Sequence, residues 1–293
     1  MTTVNSSNVF NIALKGTFDD CQDIIKKLFR DNELNQRLNL GSINSINWTR
    51  IMAQITYYIY AYNKVKKETG NSNISFSIPT GNFGDAYAGY IAKEKFNIPI
   101  KKLIVATNKN NILDRFFRTG IYKKDKVFTT ISPSMDIQIA SNFERLLYDI
   151  TNESGEKVSE FMNSFKEKGV IKVEKKHYER TKENFVSFSV NEADTKKSIR
   201  NTYNKFNMVI DPHTAVGLEA SGKYLDEYPN DIVVTLATAH PSKFSQSVNS
   251  ILGFDPNLPF GYKNILNLKE NYQVIDKSYN LVKNYILKNA TNI

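Results

Sequence analysis

Cysteine is almost absent from this sequence. Cys21 stands alone among 293 residues, so neither an internal disulfide nor a cysteine-based zinc site can form, a usage that suits a reducing compartment. Long apolar runs are missing as well. The most apolar helical stretch, Ile51 to Tyr62, carries Gln54 and falls short of the about 20 residues that a bilayer span needs. The opening Met-Thr-Thr-Val-Asn-Ser-Ser-Asn lacks the basic start and apolar run of a signal peptide. The expectation is a soluble, cytoplasmic protein with no membrane contact. An arginine-rich arm is also lacking. The net charge is +9, but the lysines are spread along the chain, often beside Asn and Ile. That reads as compositional bias, and no nucleic-acid partner is expected.

What is present suffices for one large or two medium domains with a real core, at 293 residues and 41% hydrophobic content. The most informative stretch runs from Ser75 to Ala92. Ile74, Phe76 and Ile78 alternate with polar residues as in a strand, and Pro79, which has no N–H for the ladder, ends it. Gly81 and Gly84 bracket a turn suited to positive φ. Asp85 stands where it would cap a helix, and Ala86, Ala88 and Ala92 favour one. A turn of this kind points backbone N–H groups at an anion, with Thr80 and Asn82 adding side-chain donors. On spacing alone it reads equally as a plain strand-to-helix connection.

Around this turn the pattern alternates. Strands are expected at 9–14, 102–106 and 127–130, and helices from Gly16-Thr17 (Thr17 as N-cap, Asp19 and Asp20 in the first turn), from the Asn44–Arg50 stretch to about Lys64 (Ser45 or Asn47 as cap), and at 85–96, 110–118 and 137–150. Strand–helix alternation with apolar strands predicts an α/β fold, a parallel sheet covered by helices, with ligands at the carboxyl ends of the strands. Asn108 falls at one such end, and Asp136 reads as a helix cap. Asn44, Ser45, Asn47 and Arg50 gather at a helix start, which suits an anionic substrate or a simple capped helix. From 151 to 206 charges dominate and a helical, surface-lying insertion is expected. Sheet residues return with strands at 208–211 and 232–238, the latter buried. Pro212-His213 begins a helix, where His213 reads first as a structural hydrogen-bonder. The division expected is thus a core over 1–150, an insertion over 151–206, the remaining core over 207–250 and a helical tail over 251–293.

Several words in this order carry a resemblance: Pro79-Thr80-Gly81-Asn82-Phe83-Gly84-Asp85, Lys102-Leu103-Ile104-Val105-Ala106-Thr107-Asn108, Ser132-Pro133-Ser134-Met135-Asp136-Ile137, Ser141-Asn142-Phe143-Glu144-Arg145 and Asp211-Pro212-His213-Thr214-Ala215-Val216-Gly217. They resemble threonine synthase in its longer bacterial and fungal form, and the resemblance covers nearly the whole chain. It implies a fold type II pyridoxal-phosphate enzyme, tryptophan synthase beta-like in architecture and incomplete at the N-terminus. It implies conversion of O-phosphohomoserine and water to threonine and phosphate, with the cofactor as electron sink. By motif position it assigns Gly81, Asn82, Phe83, Gly84 and Asp85 to the cofactor's phosphate and Thr238 to the pyridine nitrogen. Asn44, Ser45, Asn47 and Arg50 would enter the substrate cleft. The family's Schiff-base lysine belongs to an upstream Phe-Lys-Asp word that these residues do not contain, so no catalytic lysine is assigned here. The expectation is a C-terminal portion, inactive alone, that needs the N-terminal half in cis or in trans. A different pyridoxal-phosphate lyase or deaminase of the same fold type, or a non-catalytic remnant, are the alternatives.

Overall fold

A computed structural model describes residues 1–16 and 18–290. Thr17, expected to cap the first helix, lies outside the described residues, and so does the Asp19 side chain. The chain folds into two compact units, one from residues 1–42 with 258–293 and one from 43–257.

The first unit joins both ends of the sequence. Strand β1 (Ile12–Lys15) is followed by α1 (Phe18–Arg30) and α2 (Asn32–Leu38). Ile24 and Leu28 of α1 and Leu34 of α2 are buried with Val282 and Ile275 from the far end of the chain. Asp31 makes the joint between the two helices. It caps α2 by accepting from the Leu34 amide at 3.0 Å and also accepts from Lys283 and the Tyr279 hydroxyl. The Lys283 ammonium, then the Tyr279 hydroxyl, hold its carboxyl well below the ordinary carboxylate range.

The second unit begins with the long α3 (Trp48–Thr69), then β2 (Ile74–Pro79), α4 (Gly84–Glu94), β3 (Leu103–Thr107), α5 (Ile112–Thr119) and the short β4 (Ile121–Lys123). After a long loop come α6 (Phe143–Ile150), α7 (Gly155–Lys168), β5 (Val170–Lys172), α8 (Lys175–Asn184), β6 (Phe185–Ser189) and α9 (Glu192–Phe206). It ends with α10 (Pro212–Glu227), β7 (Ile232–Thr235) and α11 (Ser245–Leu252). The first unit then resumes with β8 (Gln273–Asp276), parallel to β1, and α12 (Tyr279–Ala290).

The central sheet is all parallel, in the order β6-β3-β2-β7, while β4 and β5 form a separate antiparallel pair. Strand β2 is buried along its whole length, on both faces. Its alternation explains how. Ile74, Phe76 and Ile78 enter the core built with α3 and α4. Ser75 and Ser77 face the other way and are satisfied by α10, Ser77 Oγ donating to the Gly217 carbonyl at 2.7 Å and Ser75 Oγ to the Tyr224 hydroxyl at 3.3 Å. The helices approach closely where glycine permits it. A Cβ on Gly89 of α4 would lie 2.7 Å from the Tyr58 ring of α3.

Several expectations need correction. Residues 208–211 form no strand, and Asp211 serves instead as the N-cap of α10. Residues 127–130 form none either. Asn110 brackets Phe128 by accepting from its N–H and donating to its carbonyl, and Asp136 accepts from the Thr130 amide. Side chains thus do the work of a neighbouring strand. The helix expected from Ile137 starts at Phe143. Strand β7 stops at Thr235, is half-buried and lies at the sheet edge. The segment 151–206 is not only helical, since β6 within it is the outer neighbour of β3. The tail includes β8.

Candidate functional site

The carboxyl end of β2 opens directly into the glycine turn. Thr80 still donates to the Ala106 carbonyl of β3 at 2.8 Å, and α4 begins at Gly84. The amides of Gly81, Asn82, Phe83, Gly84, Asp85 and Ala86 have no acceptor among the described residues, and the first amide of α4 paired backward is that of Tyr87, to the Phe83 carbonyl. Six donors are therefore gathered at the positive end of a helix, the arrangement that holds phosphate groups.

The glycines act differently from expectation. Positive φ falls on neither Gly81 nor Gly84 but on Phe83, at 63°. A left-handed Phe is costly, and it is held there by its ring, which is buried against Phe117, Phe143 and Phe185 at centroid distances of 6.0, 5.9 and 5.8 Å. Gly81 serves close approach instead. A Cβ there would meet the Ser134 carbonyl oxygen at 2.5 Å. Gly84 similarly leaves room for Asn142, whose Nδ2 would lie 3.1 Å from a Cβ.

Asp85 does not cap α4. Its carboxylate lies inside the first turn, half-buried, with the Tyr58 hydroxyl donating to its Oδ1 at 3.1 Å and to its carbonyl at 2.8 Å. Burial pushes this carboxyl up to about 6, with the Tyr58 hydrogen bond acting in the opposite direction. Only the Asp85 amide belongs to the set of free donors.

Two segments frame the turn. The first is the 3-10 turn Pro133–Met135. Its Ser134 amide donates to His213 Nε2 at 3.1 Å, and His213 Nδ1 lies 2.8 Å from Asp211 Oδ1. Asp211 caps α10 and is fully buried. Burial alone would raise its carboxyl, but the hydrogen bonds from His213 and Thr214 outweigh it and hold it below the ordinary range. Asp136, expected as a helix cap, instead collects Asn108 Nδ2 at 2.8 Å, Asn110 Nδ2 at 2.9 Å and the Thr130 hydroxyl at 2.7 Å, fixing the other end of this turn to the end of β3. The second segment is the loop before α3. Asn142, fully buried, donates through Nδ2 to the Ser45 carbonyl at 2.9 Å and the Asn82 carbonyl at 3.1 Å, while its amide donates to the Asn82 carbonyl at 3.0 Å.

Ser45 is thereby brought beside the glycine turn, while the side chains of Asn44, Asn47 and Arg50 shape their own loop. Asn47 caps α3 through the Thr49 amide at 2.8 Å, Asn44 Oδ1 accepts from the Ile46 amide at 2.9 Å, and Arg50 Nη1 donates to the Ile43 carbonyl at 3.3 Å. Thr238 lies exposed in the loop after β7. β7 runs parallel to β2 with Thr235 opposite Ser77, so this loop leaves the sheet at the same end as the glycine turn. The Thr107 hydroxyl, buried at the carboxyl end of β3, has no hydrogen-bond partner among the described residues. Ser134 and Asn142 received no role from the sequence alone. Their signal was present, since each sits in a motif quoted above, but nothing local in those motifs says that they touch a loop dozens of residues away.

The comparisons bear on the same region. A family model described as "Threonine synthase, C-terminal" matches residues 214–286. Threonine synthase of Saccharomyces cerevisiae is 41% identical over 310 residues, covering 98% of this chain and 60% of that protein. The crystal structure of PLP-bound threonine synthase from Brucella melitensis superposes with a TM-score of 0.89 at 37% identity, over 99% of this chain and 61% of its own. The yeast enzyme's crystal structure gives 0.87 at 40% identity, over 100% and 62%. The chain thus spans about three fifths of the length of the relatives it matches. Motifs, parallel sheet and matched sequence agree: the chain is similar to threonine synthases along nearly its whole length.

Proposed function

We propose that the Gly81–Ala86 turn binds the phosphate of pyridoxal 5'-phosphate, and that the protein formed with this chain converts O-phospho-L-homoserine and water to L-threonine and phosphate. The observation that carries the reading is the set of six unpaired amides at the start of α4. The donor set fits a phosphate dianion, since it is neutral, directional and backed by the helix dipole, and the absence of a Gly81 side chain lets the Ser134 turn pack against it. When bound, the cofactor would supply an electron sink for carbanions next to its substrate's amino carbon. The chain's own residues supply position. Phe83 anchors the turn from below, Asn142 ties it to the 43–47 loop, and the Ser134 carbonyl closes against Gly81. Thr238 offers a neutral hydroxyl for the pyridine nitrogen. Asn44, Ser45, Asn47 and Arg50 lie where a second anion, the substrate's phosphate, would enter.

Expression of residues 1–293 with pyridoxal phosphate tests this. The chain is expected to bind the cofactor reversibly, in competition with inorganic phosphate. Gly81→Ala, which drives a Cβ into a backbone oxygen, is expected to abolish that binding. After borohydride reduction no cofactor should remain on the protein, and phosphohomoserine should release no phosphate, until the N-terminal half of a relative is supplied. Threonine formation by these 293 residues alone would show that one of their own lysines serves.

A further inference from the structure

We infer that His213 is a positioning residue for the phosphate cradle, holding the Ser134 turn in place through the lone pair on Nε2. The inference rests on the reading of Gly81–Ala86 as that cradle. A backbone amide is always a donor, so the Ser134 N–H at 3.1 Å requires an unprotonated Nε2. The ring proton must then reside on Nδ1, where Asp211 Oδ1 accepts it at 2.8 Å. Asp211 is itself locked, accepting also from the His213 amide at 2.9 Å and from the amide and hydroxyl of Thr214. A buried carboxylate therefore selects the tautomer that can hold Ser134.

The consequence falls on Gly81. The Ser134 carbonyl is packed where a Gly81 Cβ would stand, beside a row of amides that lack acceptors. A free carbonyl in that neighbourhood is drawn to unpaired donors. Were the turn released, Ser134 would compete with phosphate for the amides it now only flanks. The end of the turn is fixed independently by Asp136, so His213 controls its middle.

The ring is held on its other side by Phe244, at a centroid distance of 4.5 Å.

The test compares wild type, His213→Ala and His213→Gln in the 293-residue chain. Gln retains an acceptor oxygen at the distance of Nε2 and takes no proton. Binding of pyridoxal phosphate is measured with inorganic phosphate as competitor, and the ligand-free protein is followed by nitrogen-15 NMR of histidine and of the Ser134 amide. In wild type, Nε2 should give the signal of a nitrogen that carries no proton, and the Ser134 amide should shift in His213→Ala but not in His213→Gln. His213→Ala should bind about tenfold more weakly, whereas His213→Gln should stay within about twofold of wild type. If Ala disturbs folding, the Nε2 signal and the binding of Gln decide. Equal binding by wild type and Ala, loss of binding in Gln, or a protonated Nε2 overturns the inference. Failure of wild type to bind either probe overturns the cradle reading and the inference with it.

Discussion

At the level of single residues, Asp85 is the point where stability and the site conflict. Its carboxylate sits half-buried in the first turn of α4 with one hydroxyl partner, and desolvation there raises it from 3.8 to about 6. Between those two values the folded protein keeps a proton that the unfolded chain has lost. Stability should therefore fall as the pH rises through this window and remain lower above it, by about 3 kcal/mol at most. Asp85→Asn removes the charge and keeps an acceptor for Tyr58. The variant should be more stable than wild type at pH 7.5 and nearly equal to it near pH 4. Denaturant titrations followed by the fluorescence of Trp48 would read this, since it is the only tryptophan and packs 6.5 Å from Tyr87 of α4. Equal midpoint differences at both pH values would refute it. A phosphate dianion at the adjacent amides would add to the repulsion, so the same substitution should not weaken cofactor binding.

At the level of elements, the site is an agreement between loops that local sequence only half discloses. The strand–turn–helix at 74–94 was legible because alternation, Pro79 and two glycines are local signals. So was β3, and so was α10, which begins at Pro212, although Asp211 was read as the end of a strand rather than as its cap. The division of labour inside the turn was not legible. Which residue takes positive φ depends on the aromatic cluster that fixes Phe83, and why Gly81 is needed depends on Ser134, which approaches from 53 positions away in sequence. The strand expected at 127–130 failed for a related reason, because its apolar residues are organised by Asn110 and Asp136 rather than by a ladder. Asn142 offers the cleanest test at this scale. Replacing it with Ala leaves the Ser45 carbonyl without its Asn142 donor and deprives Asn82 of one of two, a cost of about 1–3 kcal/mol. The 43–47 loop should then exchange its amide hydrogens faster, and iodide should quench the already exposed Trp48 more strongly, since Arg145 now lies over its ring at 5.5 Å. Exchange unchanged from wild type in that loop would show that the clamp is unimportant.

At the level of the whole molecule, the order of the chain and the order of packing differ. Composition suggested boundaries near 150, 206 and 250, because charge and apolar content change there. Packing instead joins residues 1–42 to 258–293 and leaves 43–257 as a unit that contains the whole candidate site. Sequence composition cannot show that β1 pairs with β8, since parallel pairing across 261 positions between Ile12 and Gln273 has no local signature. The match to the family's C-terminal model runs from 214 to 286 and so takes in parts of both units. Cohesion of the first unit depends on contacts that only its far end supplies: the β8 ladder, Val282 and Ile275 in the core, and Lys283 and Tyr279 on Asp31. Unfolding is therefore expected in two steps rather than one. Asp31→Ala removes the α2 cap and both partners of α12 at once, and should lower the midpoint of the first unit alone. Hydrogen exchange measured along a denaturant series would resolve the two, with amides of β1, α2 and α12 exchanging together and earlier in the variant, and those of β2, β3 and α10 unchanged. A single transition shifted uniformly across both sets would mean that the two units unfold as one.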